Sequence, residues 1–168
     1  MNSQIKDESP IDSKSIVKVL GWYTLFYAVS LAGYFGSTPG LWYWYVTLRR
    51  PEWAPPGWGF TAAWTVLYGL IATASWQVRQ AHPSRTRTAG LVLLAIQLAL
   101  AVVWPWIFFT GHQVLGAFVL SIIVVGLALP TTVAYWIVRP SAGGMMLVQF
   151  LWTLFIAILT FTLWRINI

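Results

Sequence analysis

Long apolar stretches are the feature of this sequence that most restricts its fold. A helix needs about 20 predominantly apolar residues to cross the hydrocarbon core of a bilayer. Runs such as residues 91–96 are apolar without the alternation that a strand of a membrane barrel shows. The sequence therefore predicts an all-α fold, a bundle of five transmembrane helices. Their predicted spans are roughly 16–35, 60–78, 89–109, 114–137 and 144–164.

Charged residues are scarce, and this scarcity excludes several kinds of chemistry. Only 8% of the residues are charged, whereas a soluble domain carries about 25%. Asp7, Glu8 and Asp12 precede the first apolar stretch, so Glu52 is the only carboxylate side chain beyond residue 15. Hydrolysis by a carboxylate pair is thereby excluded. The absence of cysteine also excludes thiol nucleophiles and cysteine-bound zinc.

The two histidines give no indication of a metal site. His82 and His112 lie in predicted loops at opposite ends of the bundle, so they cannot share one ion. Either could ligate haem iron or respond to pH, but surface histidines more often do neither. We predict no metal site.

The domain organisation follows from the polar segments. Residues 1–15 are polar and predict a disordered tail, while 16–168 form a single membrane domain. The first loop, about 37–59, is long for a compact protein, and such loops are usually functional or disordered. Disordered linkers are poor in aromatic residues, whereas this loop contains four tryptophans, Trp42, Trp44, Trp53 and Trp58. We therefore expect a structured lid over one end of the bundle.

The distribution of basic residues predicts an orientation in the membrane. By the positive-inside rule the N-terminus is cytoplasmic, and the long loop and the C-terminus lie outside. Because the basic residues are divided between two faces, they form no stripe for nucleic acid. Anionic headgroups of the lipid bilayer are the expected partner. Seven basic residues fall on the N-terminal side (Lys6, Lys14, Lys18, Arg79, Arg85, Arg87 and Arg139), against three on the other (Arg49, Arg50 and Arg165).

Tryptophans inside the spans suggest a ligand cavity. The chain has 12 tryptophans. Six are expected near the membrane interface, where indole rings are enriched, namely Trp22, Trp42, Trp44, Trp76, Trp136 and Trp164. Trp64, Trp104 and Trp152 instead fall within predicted spans. They could line one apolar cavity beneath the loop, suited to a flat hydrophobic ligand. The alternative is that the three indoles simply fill the helix core.

The loop and the helix after it carry a recognisable pattern. Residues 44–60 read WYVTLRRPEWAPPGWGF and are followed by Ala63-Trp64 and Leu67-Tyr68. This pattern closely resembles the TspO/MBR family, the translocator proteins and tryptophan-rich sensory proteins formerly called peripheral benzodiazepine receptors. Segments 97–109, 132–140 and 152–167 are similar to later helices of that family. The resemblance extends over about 16–167 and implies the family's five-helix arrangement.

The resemblance also implies a function and a site. The family binds porphyrins such as protoporphyrin IX, so a porphyrin or haem is the expected ligand and no cofactor is required. Some bacterial members are linked to light- and oxygen-dependent porphyrin breakdown, which would make Trp64 and Trp152 catalytic here. A scaffold that has lost its ligand is a third reading. The expected ligand-binding residues are Trp53, Pro55, Trp58, Trp64, Tyr68, Ala101, Trp104, Phe108, Trp152, Phe155 and Ile156.

Several positions depart from the family pattern. Ala101 and Thr160 stand where relatives commonly have Asn, which removes or weakens two polar anchors. Ile156 replaces a small alanine, and its stiff branched side chain should narrow the cavity. Gln149 falls within a span, so we expect it to hydrogen-bond to a neighbouring helix or to a ligand. Arg49 or Arg50 could meet porphyrin propionates or lipid phosphates.

Two further expectations concern partners. Ala95 and Ala99 place small residues one turn apart on the third helix, which suits either a homodimer face or packing within the chain. The cholesterol-recognition pattern requires a tyrosine and is weak even when intact. Phe161 stands at that position before Arg165, so we predict weak or no sterol recognition.

Overall fold

The computed structural model describes residues 13–168, and side chains from residue 16 onward. Five α-helices follow one another: α1 Ser13–Leu41, α2 Gly57–Gln80, α3 Arg85–Pro105, α4 Val114–Val138 and α5 Pro140–Ile166. Residues 13–168 contain no strand, so the predicted all-α fold of five helices is confirmed. Four helices are long and apolar enough to cross a membrane, namely α1, α3 with the turn after it, α4 and α5.

The first helix is longer than its apolar stretch predicts. It extends from Ser13 through Pro39 to Leu41, so the segment between α1 and α2 covers residues 42–56 and not 37–59. Tertiary contacts explain the extension: Thr110 donates a hydrogen bond of 2.9 Å to the Gly36 carbonyl. A Cβ on Gly40 would lie 1.8 Å from the Phe109 carbonyl oxygen, so only glycine permits this approach.

The tail and the other connections also differ from their predicted bounds. Residues 1–12 of the predicted tail lie outside the described residues, and residues 13–15 belong to α1. The connection predicted over 79–88 is reduced to 81–84, because the Ser84 side chain caps α3 by accepting from the Arg87 amide at 3.1 Å. Arg139 alone separates α4 from α5 instead of residues 138–143, since Pro140 starts α5 and proline suits the first helical position.

A wider turn follows α3. Residues Trp106–Thr110 form a π-helical turn directly after Pro105, and the Gly111 amide donates to the Trp106 carbonyl at 2.8 Å. Single π turns of this kind often occur at functional sites. This turn carries Phe108, which is only 1% exposed, into the core.

The bundle has two ends with different cores. At the N-terminal end, where α1, α3 and α5 begin, Ile71, Tyr135 and Met146 pack together with several alanines. At the loop end, where segment 42–56 and the C-terminus lie, the core contains Tyr45 and Phe108. These two names are used below for the two ends of the molecule.

Candidate functional site

Five of the predicted site residues form one continuous row of rings between α2, α5 and the loop. Trp64 on α2 meets Trp152 on α5 edge to face, with 6.1 Å between centroids and 87° between planes. Tyr68 lies 5.9 Å from Trp64, and Phe155 lies 5.2 Å from Trp152. Trp53 of the loop extends the row, with its centroid 5.9 Å from Phe155. We call these five residues the aromatic row.

Phe60 is a member of this site that sequence reasoning missed. Its ring lies 6.3 Å from Trp152 at 70°. The signal was present, because Phe60 stands four residues before Trp64 at the start of α2, and residues four apart share a helix face. The aromatic row therefore has an additional ring on its α2 side.

Trp104 and Phe108 belong to a second group of rings. They stack at 4.9 Å with planes 11° apart, and the Trp104 indole donates to the Ser121 hydroxyl at 2.8 Å. Within the described chain, neither ring pairs with Trp64 or Trp152. Phe155 packs against the core that contains this group, so it links the two groups. The structure thus brings together two of the three tryptophans expected to line one cavity.

The loop forms an open depression, and two of its lining residues, Pro51 and Ala54, lie on either side of Trp53 in the sequence. The depression has a volume of about 460 Å³, and it includes Pro55 and Arg50 among the predicted site residues. Trp58 is 76% exposed and has no ring partner in the described part of the chain, so it does not cover the row. The depression is lined by Leu48, Arg50, Pro51, Ala54, Pro55 and Pro56.

The two loop arginines have different surroundings, although both are exposed. The Arg50 guanidinium lies 5.5 Å from the centroid of the Tyr45 ring, a cation–π distance. Burial raises the pKa of Tyr45, and the positive charge of Arg50 partly opposes this shift. The Arg49 backbone is fixed by Asn167, whose side chain accepts from the Arg49 amide at 2.9 Å and donates to its carbonyl at 2.9 Å. Sequence reasoning missed this role of Asn167.

The departures from the family pattern have structural consequences. The Thr160 hydroxyl donates to the Ile156 carbonyl at 2.7 Å, so it is bonded within α5. Ile156 is half-buried one turn after Trp152, and Ala101 is half-buried on α3. Gln149 donates to the Gln97 side-chain oxygen at 3.4 Å. The prediction that Gln149 bonds to a neighbouring helix is therefore confirmed.

The remaining predicted positions lie on the outside of the bundle. Ala95 and Ala99 are both exposed on α3. Phe161 is 42% exposed and packs against Phe118 at 5.2 Å. His112 stacks on Trp44 at 4.6 Å, and residues 13–168 contain no group of three or more side chains of the His, Cys, Asp or Glu type that could hold a metal ion.

Comparison with known proteins identifies the family. The TspO/MBR family model matches residues 22–165. The chain is 36% identical to the human translocator protein over 126 residues, 74% of this chain and 75% of that protein. It is 32% identical to protein CrtK of Rhodobacter capsulatus over 84% of this chain and 89% of that protein. It is also 32% identical to the tryptophan-rich protein TspO of Chlorobaculum tepidum, over 80% and 88% respectively. With its apolar helices, the chain is an integral multi-pass membrane protein that belongs to the TspO/MBR family.

Proposed function

We propose that this protein binds a porphyrin, such as protoporphyrin IX or haem, or a similarly flat hydrophobic molecule, for sensing, transport or disposal. The observation that carries the proposal is the aromatic row, in which Trp64 and Trp152 meet at 6.1 Å and to which Trp53 of the loop is joined through Phe155. Flat apolar ligands bind to concave sites with aromatic walls and few polar groups, and indole rings provide large apolar faces for stacking. No cofactor is needed for such binding.

The predicted site residues have different roles in the proposed binding. The aromatic row supplies one wall, and Trp104, Phe108 and Ala101 supply the facing side. Pro55 belongs to the loop that admits the ligand, and Trp58, exposed in the first turn of α2, closes over the ligand once it is bound. Arg49 and Arg50 are exposed at this end and pair with propionate groups through charge-assisted hydrogen bonds.

The bulk of Ile156 limits the size of the ligand. Ile156 stands one turn after Trp152 on α5, and its branched side chain has little rotamer freedom in a helix. Because the Thr160 hydroxyl already donates its proton to the Ile156 carbonyl, it has no donor left for a ligand. Binding therefore depends on shape and apolar contact more than on hydrogen bonds.

A second candidate function is light- and oxygen-dependent breakdown of the bound porphyrin. The edge-to-face contact of Trp64 and Trp152 favours it, because an indole that touches the ligand can donate an electron to the photo-excited porphyrin. The reduced porphyrin passes this electron to dioxygen as superoxide, the indole radical takes an electron back from the porphyrin, and superoxide adds to the porphyrin cation so formed. Dioxygen would be the terminal oxidant. If neither binding nor breakdown occurs, the remaining role is that of a membrane scaffold without a ligand.

Three finer features belong to the same proposal. The exposed Ala95 and Ala99 would form a homodimer face, since small residues allow close approach of helices in lipid. The N-terminus would be cytoplasmic and the loop end outside, because Lys18 and four arginines lie at the N-terminal end. Sterol recognition would be weak, because Phe161 has no hydroxyl to offer.

Protoporphyrin IX binding to the purified protein in detergent tests the proposal. Tryptophan quenching and the porphyrin absorption spectrum are followed in the parent, in Trp152→Phe and in Ile156→Ala. We expect saturable micromolar binding, about −8 kcal/mol, and roughly tenfold weaker binding in Trp152→Phe, because an aromatic contact contributes about 0.5–1.5 kcal/mol. Ile156→Ala should bind more tightly.

Controls separate the three roles. Trp42 is 68% exposed, so Trp42→Phe should leave the affinity unchanged. Illumination in air then distinguishes binding from breakdown: a product spectrum that disappears in Trp64→Phe supports breakdown, and an unchanged ligand supports binding alone. Absence of saturable binding in both the parent and Ile156→Ala would contradict porphyrin binding and leave the scaffold role.

A further inference from the structure

Two buried side-chain atoms near the middle of α5 have no hydrogen-bond partner among residues 16–168. They are Oε1 of Gln149 and Nε1 of Trp152. A buried polar atom left unpaired costs about 1–3 kcal/mol, and most such atoms in native proteins are paired. One of these atoms can only accept a hydrogen bond and the other can only donate one.

The orientation of the Gln149 amide is fixed by its neighbours. Nε2 of Gln97 donates to the Leu93 carbonyl at 3.4 Å and to the Leu127 carbonyl at 3.5 Å. It also donates to the Thr131 hydroxyl oxygen at 2.5 Å, whose own proton goes to the Leu127 carbonyl at 2.7 Å. Carbonyl oxygens only accept, so the Gln97 side-chain oxygen must face Gln149, whose Nε2 donates to it at 3.4 Å. If the O and N atoms of the Gln149 amide were exchanged, its oxygen would face the side-chain oxygen of Gln97, and no hydrogen bond could form between the two. Oε1 of Gln149 is therefore a true free acceptor.

The Trp152 indole differs from those of Trp22 and Trp104, whose N–H groups are bonded within the bundle. Nε1 of Trp22 donates to the Ala72 carbonyl at 3.1 Å, and Nε1 of Trp104 donates to the Ser121 hydroxyl at 2.8 Å. The rings paired with Trp152 are those of Phe155, Trp64 and Phe60, and none of these side chains carries an oxygen. The Trp152 N–H group is a buried donor in apolar surroundings.

We propose that Gln149 and Trp152 together bind one hydroxyl group inside the membrane domain. The two residues are three apart on α5, so they share a face of the helix with Cβ atoms about 5–6 Å apart. Helical side chains lean toward the helix N-terminus, which brings the indole over the turn that carries Gln149. The hydroxyl oxygen accepts from the Trp152 N–H, and its proton is donated to Oε1 of Gln149.

The pair of atoms selects a hydroxyl over other polar groups. A ketone, ester or carboxylate accepts from Trp152 but sets an oxygen against Oε1 of Gln149. An ammonium group donates to Gln149 but cannot accept from Trp152, and a charge at this depth is costly. A site built to bond a hydroxyl strongly rejects analogues that lack it. The hydroxyl belongs either to water or to a hydrophobic alcohol, and the site does not depend on porphyrin binding.

Nuclear magnetic resonance of the indole groups tests this site in the full-length protein in detergent. The protein is labelled with ¹⁵N-tryptophan, and Trp152→Phe identifies the Trp152 signal. A cross-peak between water and the Trp152 indole proton identifies water as the occupant. A saturable shift of this signal with 1-octanol, but not with n-octane, identifies an alcohol. The signals of Trp22 and Trp104 should not move, because their N–H groups are already bonded.

Gln149→Met removes the acceptor while keeping a side chain of similar length. We expect it to abolish the water cross-peak or to weaken the octanol response about tenfold, which is about 1.4 kcal/mol. The proposal is overturned if the parent gives neither a water cross-peak nor an octanol shift, or if octane acts like octanol. It is also overturned if folded Gln149→Met behaves like the parent. An upfield Trp152 signal that responds only to Trp64→Phe would instead indicate an N–H···π contact. The two measurements on the parent protein test the proposal even if Gln149→Met fails to fold.

Discussion

The two ends of the bundle are packed by different kinds of residue. At the N-terminal end the helices meet through small residues and through direct bonds such as Ser75 to Tyr135 at 3.1 Å. At the loop end large rings fill the space between a π-helical turn and segment 42–56, whose only helical part is the 3₁₀ turn Tyr45–Thr47. The fully or nearly buried small residues of the N-terminal end are Ala72, Ala74, Gly90, Ala142 and Gly143.

This difference explains where a ligand site belongs in the molecule. In lipid the helices gain stability from close van der Waals contact, which small residues permit. Such contacts leave no alternative arrangement, so the N-terminal end acts as the fixed part. Rings that meet edge to face or at a tilt, as in the aromatic row, can separate around another flat molecule with the loss of a few contacts. Regions with fewer regular backbone bonds also open more readily.

The contact of Gly143 with α4 gives the largest expected effect. A Cβ on Gly143 would lie 2.5 Å from the Cα atom of Trp136, which is backbone and cannot rotate away. We expect Gly143→Ala to lower the free energy of unfolding by about 2 kcal/mol, the usual cost of overpacking. Thermal unfolding in detergent measures the change.

The adjacent glycine is the matched control for this prediction. A Cβ on Gly144 meets nothing within 4 Å, and alanine favours a helix by up to about 1 kcal/mol over glycine. Gly144→Ala should therefore leave the unfolding temperature unchanged or raise it. Equal destabilisation by the two variants would contradict the idea that close α4–α5 contact fixes the N-terminal end.

Removing one inter-helix bond at the same end has a smaller expected effect. The Tyr135 ring is fully buried, and its hydroxyl pairs with Ser75 between α4 and α2. Tyr135→Phe should reduce the free energy of unfolding by about 1 kcal/mol, the typical value of one hydrogen bond. Porphyrin affinity should stay the same, because the Tyr135 hydroxyl is directed to Ser75 and, within residues 16–168, the Tyr135 ring pairs with no ring of the aromatic row.

An exposed tyrosine controls for the loss of a hydroxyl. Tyr43 is 81% exposed, so Tyr43→Phe should change neither stability nor porphyrin affinity. If Tyr135→Phe weakened porphyrin binding as much as it weakened the fold, the two ends would not be independent.

Apolar length predicted the number and order of the helices, because a membrane span is a local property of the sequence. It did not predict where they end. The extension of α1 to Leu41 depends on Gly36 and Gly40 contacting residues about 70 positions away. Such contacts between distant residues leave no local periodic signal.

The sequence likewise predicted only some of the contacts in the site. The family motif placed Trp64, Trp152 and Phe155, which are ring neighbours in the structure. The position of Trp104 could not be derived from spacing, because it depends on a bond to Ser121 of α4. The role of Asn167 was missed because polar residues commonly follow the end of a helix. Its presence in the sequence therefore does not indicate a specific contact.

The smallest expected effect concerns Asn167, whose side chain connects the loop backbone to the end of α5 by hydrogen bonds. Asn167→Ala removes the bonds to the Arg49 amide and carbonyl, and because they are exposed we expect at most about 1 kcal/mol of lost stability. The local effect should be larger than the global one: hydrogen exchange at the Arg49 amide should accelerate about tenfold, since that amide loses its acceptor. Ser141→Ala, which removes an exposed bond of 2.7 Å to Gln77 at the N-terminal end, should leave this exchange unchanged. If Asn167→Ala also left it unchanged, residues 42–56 would be fixed by ring packing alone, and the loop end would be as rigid as the N-terminal end.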